Sequence, residues 1–161
     1  MPQTTKAPMT IDISIEKARA EHLPEILSLL IAGAAGARVG QETDDVEAYR
    51  AAFDAMLAAP EMDVYVALDA DGVVLGTYQI HFMKGLAFRG RSRVELESVH
   101  TRADMRGQGI GAAMMAHAEE LARSANAGLM QLTSNAVRTD AHRFYDRLGY
   151  AQSHLGFKKM L

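Results

Sequence analysis

The sequence of 161 residues contains no cysteine. The chain can therefore form neither disulfides nor thiolate metal sites, and a cysteine nucleophile is excluded. An absence of cysteine fits a reducing compartment. No apolar run approaches the roughly 18 residues that a membrane-spanning helix needs. The first residues, "MPQTTKAPMT", also lack the apolar centre of a signal peptide. We therefore expect a cytoplasmic protein with no membrane partner.

The sequence also lacks a large net charge and several motifs of common enzymes. A net charge of -3 gives no reason to expect nucleic acid as a partner. The six histidines include no H-x-x-x-H pair, so we expect no metal site. No Gly-x-Ser-x-Gly elbow of a serine hydrolase is present. The composition is that of a globular protein, and the length fits one domain over 1–161, with residues 1–9 as a disordered tail.

The periodicity of apolar residues predicts a mixed α/β (α+β) fold. Alternating isoleucines predict a strand over 10–18, and helical spacing predicts helices over 22–34 and 46–59. Residues 63–83 are typical of a hairpin that turns at an Asp-Gly pair. Strand, helix, strand, helix and strand then follow at 93–101, 109–124, 128–135, 139–150 and 151–161. Because the strands before and after the long helix need a right-handed parallel crossover, we expect a mixed, mostly antiparallel twisted sheet with helices on both faces.

The segment "RGQGIG" (106–111) stands between a predicted strand and a predicted helix. Amides at a helix N-terminus favour anions, and glycines at alternate positions let an anion approach the backbone. Arg106 adds a positive charge. A simple turn and a coenzyme diphosphate site both remain open. A dinucleotide loop is disfavoured because "RADMR" separates the glycines from the strand, and no acidic residue ends the next strand.

A second motif, "DAHRFYDRLGY" (140–150), follows about thirty residues later. Together the two motifs resemble the signature of the GNAT family of N-acetyltransferases, and the resemblance covers nearly the whole chain. The matching residues are Arg106, Gly109 and Gly111 in the first motif, and Ala141, Phe144, Tyr145, Gly149 and Tyr150 in the second. The resemblance implies a GNAT-like sheet, acetyl-coenzyme A as co-substrate, direct transfer to a primary amine, and a homodimer. A sensor domain that binds acyl-coenzyme A without turnover remains the alternative.

The resemblance also implies a set of coenzyme-binding residues. The diphosphate would bind at the glycine segment, and the pantetheine arm would lie between the strands predicted at 93–101 and 128–135. The set is Val99, His100, Thr101, Arg106, Gly107, Gln108, Gly109, Ile110, Gly111, Asn135 and Tyr145. An amide near Val99 would polarise the acetyl carbonyl.

Two catalytic roles follow from the same resemblance. Tyr145 would donate a proton to the departing coenzyme thiolate, since a phenol is protonated at neutral pH. An incoming ammonium must lose a proton before its nitrogen can attack, and Glu97 is the proposed base. Glu95 shares the face of Glu97 by the period of two and is the second choice, and a water chain is the third. The resemblance assigns the acceptor pocket to the first half of the chain, without identifying the acceptor.

Overall fold

The computed structural model describes residues 11–161, so the expected tail at 1–9 lies outside the described residues. Five strands form one sheet in the order β1-β2-β3-β4-β5. Their bounds are β1 (Ser14–Lys17), β2 (Met62–Leu68), β3 (Val74–Met83), β4 (Arg93–Thr101) and β5 (Leu129–Leu132). Neighbouring strands are antiparallel except β4 and β5, which are parallel. The predicted mixed, mostly antiparallel sheet is therefore confirmed.

Two helices, α1 (Leu23–Ala32) and α2 (Glu47–Ala58), cover one face of the sheet. Proline stands in the first turn of α1, where its missing N–H costs nothing. Asp45 Oδ1 accepts a hydrogen bond of 3.1 Å from the backbone N–H of Glu47 at the start of α2. The buried side chains of both helices pack on β2 and the start of β3. Among the described residues, no helix covers the end of β3 and the start of β4 on this face.

The opposite face carries the helix of the parallel crossover, α4 (Ile110–Ser124), and the short helix α5 (Thr139–Arg147). Ile110 and Met114 of α4 are buried against the sheet, as the helical spacing predicts. Between β3 and β4 the chain makes one short turn, α3 (Ala87–Gly90), in which Phe88, Arg89 and Gly90 have left-handed φ angles. No helix of residues 11–161 is both long enough and apolar enough to cross a membrane.

The strand expected over 151–161 does not form. These residues have no regular secondary structure, and Leu155 and Phe157 are 84% and 93% exposed. Gly156 separates the two apolar side chains, and no strand of the described chain pairs with this segment to satisfy its backbone. The sheet therefore ends at β5, and the prediction of a terminal strand is wrong.

Candidate active site

Strands β4 and β5 separate before β4 ends. Their pairing runs from Arg93 opposite Leu129 to Leu96 opposite Leu132, whereas β4 continues to Thr101. Beyond Leu96, the edge of β4 on the β5 side has no strand partner in the described chain. The backbone groups of this stretch therefore remain open to hydrogen bonding by a ligand.

A β-bulge coincides with this separation. Thr77 pairs with His100 and Gln79 pairs with Glu97, so β4 has one more residue than β3 between these pairs. Within the bulge Ser98 has a φ of 50°, a left-handed conformation that costs a non-glycine residue about 1 kcal/mol. Bulges of this kind re-aim the side chains that follow them.

The glycine segment leaves open space beside the start of α4. Gly107 and Gly109 have φ angles of 76° and 86°, and no atom lies within 4 Å of the position that a Cβ would occupy at either residue. Gly109 is the N-cap residue and provides no side-chain cap, so the first amides of α4 are available to an anion. Arg106 is exposed at this point, and a groove of about 420 Å³ extends from it to α1.

Two residues of the predicted coenzyme set have packing roles in the structure. A Cβ at Gly111 would lie 3.2 Å from Phe144 Cζ, so this glycine permits close packing of α5, a role that the loop pattern does not predict. The Ile110 side chain is buried in the core, so only its backbone can face a ligand. Gln108 is exposed beside them, with its Nε2 3.7 Å from Met105 Sδ.

His100 is a buried polar residue at the end of β4. It is 6% exposed, its ring lies directly against Gly33 at the end of α1, and its Nε2 has no hydrogen-bond partner in residues 11–161. Burial lowers the pKa of His100 to about 4, and the positive charges of Arg138, Arg38 and Arg106 act in the same direction. The imidazole is therefore neutral at physiological pH.

Those three arginines come from three separate segments: Arg38 from the loop after α1, Arg106 from the glycine segment, and Arg138 from the start of α5. Arg38 forms an ion pair of 2.7 Å with Glu42, and it is the one arginine of the three with an ion pair among the described residues. No pattern in the sequence groups Arg38 with Arg138, since one hundred residues separate them. Their convergence makes the surroundings of His100 favourable to an anion.

Tyr145 lies in α5, partly buried beside the aromatic rings of Phe144 and Tyr150 at centroid distances of 5.2 and 5.7 Å. Burial raises the pKa of Tyr145, although the charge of Arg138 opposes this effect. The phenol therefore keeps its proton at neutral pH, as a proton donor requires.

Asn135 has partners within the protein. Its side-chain carbonyl accepts a hydrogen bond of 3.1 Å from the N–H of Val137. The amide nitrogen of the same side chain lies against Gly36, whose φ is 60°. Asn135 thus connects the end of β5 to the loop after α1, and the amide is less free to contact a pantetheine arm than the sequence suggests.

A second cavity, of about 210 Å³, lies on the sheet face that the first two helices leave uncovered. It is lined by His81, Met83, Glu95 and Glu97. Glu95 accepts a hydrogen bond of 2.8 Å from Gln131 Nε2, whereas Glu97 Oε2 lies 3.9 Å from His81 Nε2. The shared face of Glu95 and Glu97 is confirmed. The sequence did not single out His81, because only the β3–β4 register reveals that it faces Glu95.

Comparison with known proteins agrees with this architecture. Residues 23–150 match the model of the acetyltransferase (GNAT) family. The aminoalkylphosphonate N-acetyltransferase of Salmonella typhimurium is 41% identical over 117 residues, which are 73% of this chain and 75% of that protein.

Solved structures give the same result for the fold. A transcriptional regulator from Bacillus halodurans C-125 superposes with a TM-score of 0.86 at 29% identity, covering 93% of this chain and 100% of the other. Glucosamine-6-phosphate N-acetyltransferase from Arabidopsis thaliana superposes with a TM-score of 0.73 at 16% identity, covering 92% and 98%. The second likeness concerns the fold alone.

The two sequence motifs now have a structural explanation, since they place a strand end, a helix N-terminus and α5 side by side. The family match spans most of the chain, and the Salmonella relative acts as an N-acetyltransferase. Both findings favour a catalyst over a sensor without turnover. The chain belongs to the acetyltransferase (GNAT) family, and it is an acyltransferase.

Proposed function

We propose that the protein transfers an acetyl group from acetyl-coenzyme A directly to the primary amine of a small acceptor that also carries an acidic group. The observation that carries the donor assignment is the separation of β4 from β5 beside a helix N-terminus with two open, left-handed glycines. Such an N-terminus suits a diphosphate, and an open strand edge suits the amides of a pantetheine arm.

In this proposal the coenzyme diphosphate binds the amides of 107–111 and the guanidinium of Arg106. Backbone groups of Val99, His100 and Thr101 hold the arm, and an N–H near Val99 polarises the acetyl carbonyl. Glu97 accepts a proton from the acceptor ammonium, and the freed nitrogen forms the new C–N bond. Tyr145 donates a proton to the sulfur as the C–S bond breaks.

The acidic group of the acceptor is inferred from the distribution of charge on one face of the sheet. Glu95 and Glu97 line the small cavity, which suits an ammonium. His100 follows Glu97 beyond the bulge, with the charges of Arg38 and Arg138 acting on it. A zwitterion with an amine at one end and a phosphonate at the other matches both ends, and the Salmonella relative acts on aminoalkylphosphonates.

Steady-state kinetics with paired acceptors test this assignment. We expect Arg38→Ala to raise the KM for an aminoalkylphosphonate at least tenfold, because a charge-assisted contact is lost. The same variant should leave the KM for acetyl-coenzyme A and for a neutral primary amine of equal chain length unchanged. Arg50→Ala is the matched control, since Arg50 is an exposed arginine paired with Glu47 on α2. Equal losses with both acceptors would contradict an anion site for the acceptor.

A further inference from the structure

The small cavity brings together the imidazole of His81 and the carboxylate of Glu97, neither of which forms a side-chain hydrogen bond within residues 11–161. His81 Nε2 is buried without a hydrogen-bond partner in residues 11–161, and it lies 3.9 Å from Glu97 Oε2. The side chains of His81 and Glu97 are 30% and 55% exposed, so each is accessible from the cavity. Their approach is diagonal across the β3–β4 pair, in which His81 lies opposite Glu95.

The two carboxylates of the cavity are not equivalent. Gln131 donates a hydrogen bond of 2.8 Å to Glu95, which holds this side chain toward β5. Glu97 has no such donor in the described chain and is directed toward His81. Glu97 also directly precedes the bulge, next to the backbone where the proposed reaction takes place. Glu97 is thus the carboxylate that can exchange a proton with the histidine.

We propose that His81 is a positioning residue that acts through Glu97, by taking from its carboxyl group the proton that the acceptor ammonium released. This inference rests on the proposed function. The proton passes from the ammonium to the Glu97 carboxylate, then to the unprotonated Nε2 of His81, and from the imidazolium to water. Glu97 is thereby returned to its charged form before the next turnover, and the amine nitrogen keeps the lone pair that attacks the thioester.

An imidazole suits this task because a proton carrier works best when it titrates near the operating pH. An ordinary carboxylate titrates near pH 4.3 and an ordinary imidazole near pH 6.5, values that are about two units apart.

The surroundings of His81 are mostly acidic. Glu95 and Glu97 face His81 from β4, and Arg93 lies on the same face at the start of β4. The neighbouring strands add no charge at this level, where they contribute Met62 and Gln131. Two carboxylates and one guanidinium therefore share the face of the sheet on which His81 lies.

The pH dependence of kcat/KM for the acceptor tests the role of His81. The wild-type profile should rise through the range of an imidazole and level off above about pH 7. We expect His81→Asn to lower kcat/KM at pH 7.5 by about tenfold to hundredfold. In this variant kcat/KM should keep rising with pH toward the pKa of the free amine, because the reaction then depends on amine that is already neutral in solution. His154→Asn, a change at an exposed histidine of the C-terminal segment, should retain the wild-type profile.

A second measurement does not depend on turnover. Nuclear magnetic resonance of the His81 ring measures its titration midpoint in the wild type and in Glu97→Gln. The midpoint in Glu97→Gln should be lower by about half a pH unit or more, because a neighbouring negative charge is removed. His81 and Glu97 are not a proton-exchanging pair if the midpoint is unchanged, or if the profile of His81→Asn superposes on that of the wild type. A wild-type protein that acetylates no amine but shows the midpoint change would instead refute the proposed function while retaining the coupling.

Discussion

The buried histidine at the end of β4 makes folding stability depend on pH in a predictable direction. His100 is neutral in the native state because burial lowers its pKa to about 4, whereas an unfolded histidine titrates near pH 6.5. Between these values the unfolded chain binds more protons than the native protein. The free energy of unfolding must therefore decrease as the pH falls from about 6.5 toward 4.

The size of this contribution follows from the two pKa values. At pH 5 the unfolded histidine is almost fully protonated and the native one is mostly neutral, which corresponds to about 2 kcal/mol of lost stability relative to pH 7.5. Replacement by glutamine, which does not titrate, should remove this part of the pH dependence. His117, whose pKa is also lowered by burial, is present in both proteins, so its contribution cancels in the comparison.

Urea unfolding of the wild type and of His100→Gln at pH 7.5 and 5 measures the difference. The chain has no tryptophan, so far-ultraviolet circular dichroism is the suitable signal. For a slope of about 2 kcal/mol per molar urea, the wild-type midpoint should fall by about 1 M more than that of the variant between the two pH values. Equal falls in both proteins would show that His100 is not held neutral, and would refute the argument from burial and the arginines.

Two further predictions concern the proposed coenzyme site. Gly109→Glu should abolish acetyl-coenzyme A binding in calorimetry, because the new carboxylate would point toward the proposed diphosphate. Gly72→Glu is the control and should bind the coenzyme normally, since Gly72 is a turn glycine with a similar φ of 81° and equally open space. Unchanged affinity in the first variant would remove the diphosphate from the glycine segment. Tyr145→Phe should lower kcat by about a hundredfold with an unchanged KM for the coenzyme. Tyr150→Phe is the control and should retain activity, because it removes the hydroxyl of a buried phenol that has no hydrogen-bond partner in the described chain. Equal kcat values in the two tyrosine variants would argue against a proton donated by Tyr145.

The spacing of apolar residues correctly predicted those strands and helices whose buried face is visible in their own sequence. The strand over 93–101 has the predicted bounds, and the helix expected over 109–124 begins one residue later. Both elements have a buried face whose spacing is visible in the sequence. The segment 151–161 has no such spacing, and the strand predicted there does not form.

The charged groups of the candidate site could not be grouped from the sequence. Arg38 lies in a loop whose position depends on contacts with distant residues, among them the contact between Gly36 and Asn135. His81 faces Glu95 only through the register of β3 and β4, and register depends on turn geometry and on the burial of the opposite face. Motifs therefore located the glycine segment and Tyr145, whereas the proposed acceptor site could be inferred only from the three-dimensional structure.

The bulge in β4 explains why simple alternation misleads at the centre of the site. In a regular strand, Glu97, Val99 and Thr101 would share one face and His100 would lie on the other. One extra residue at the bulge changes this order, so that His100 follows Glu97 on the face of α1 while Val99 packs into the core below α4. The same insertion occurs where pairing with β5 ends. A single local irregularity, with Ser98 in a left-handed conformation, thus coincides with the open strand edge and places Glu97 on the same face as the arginine-surrounded His100.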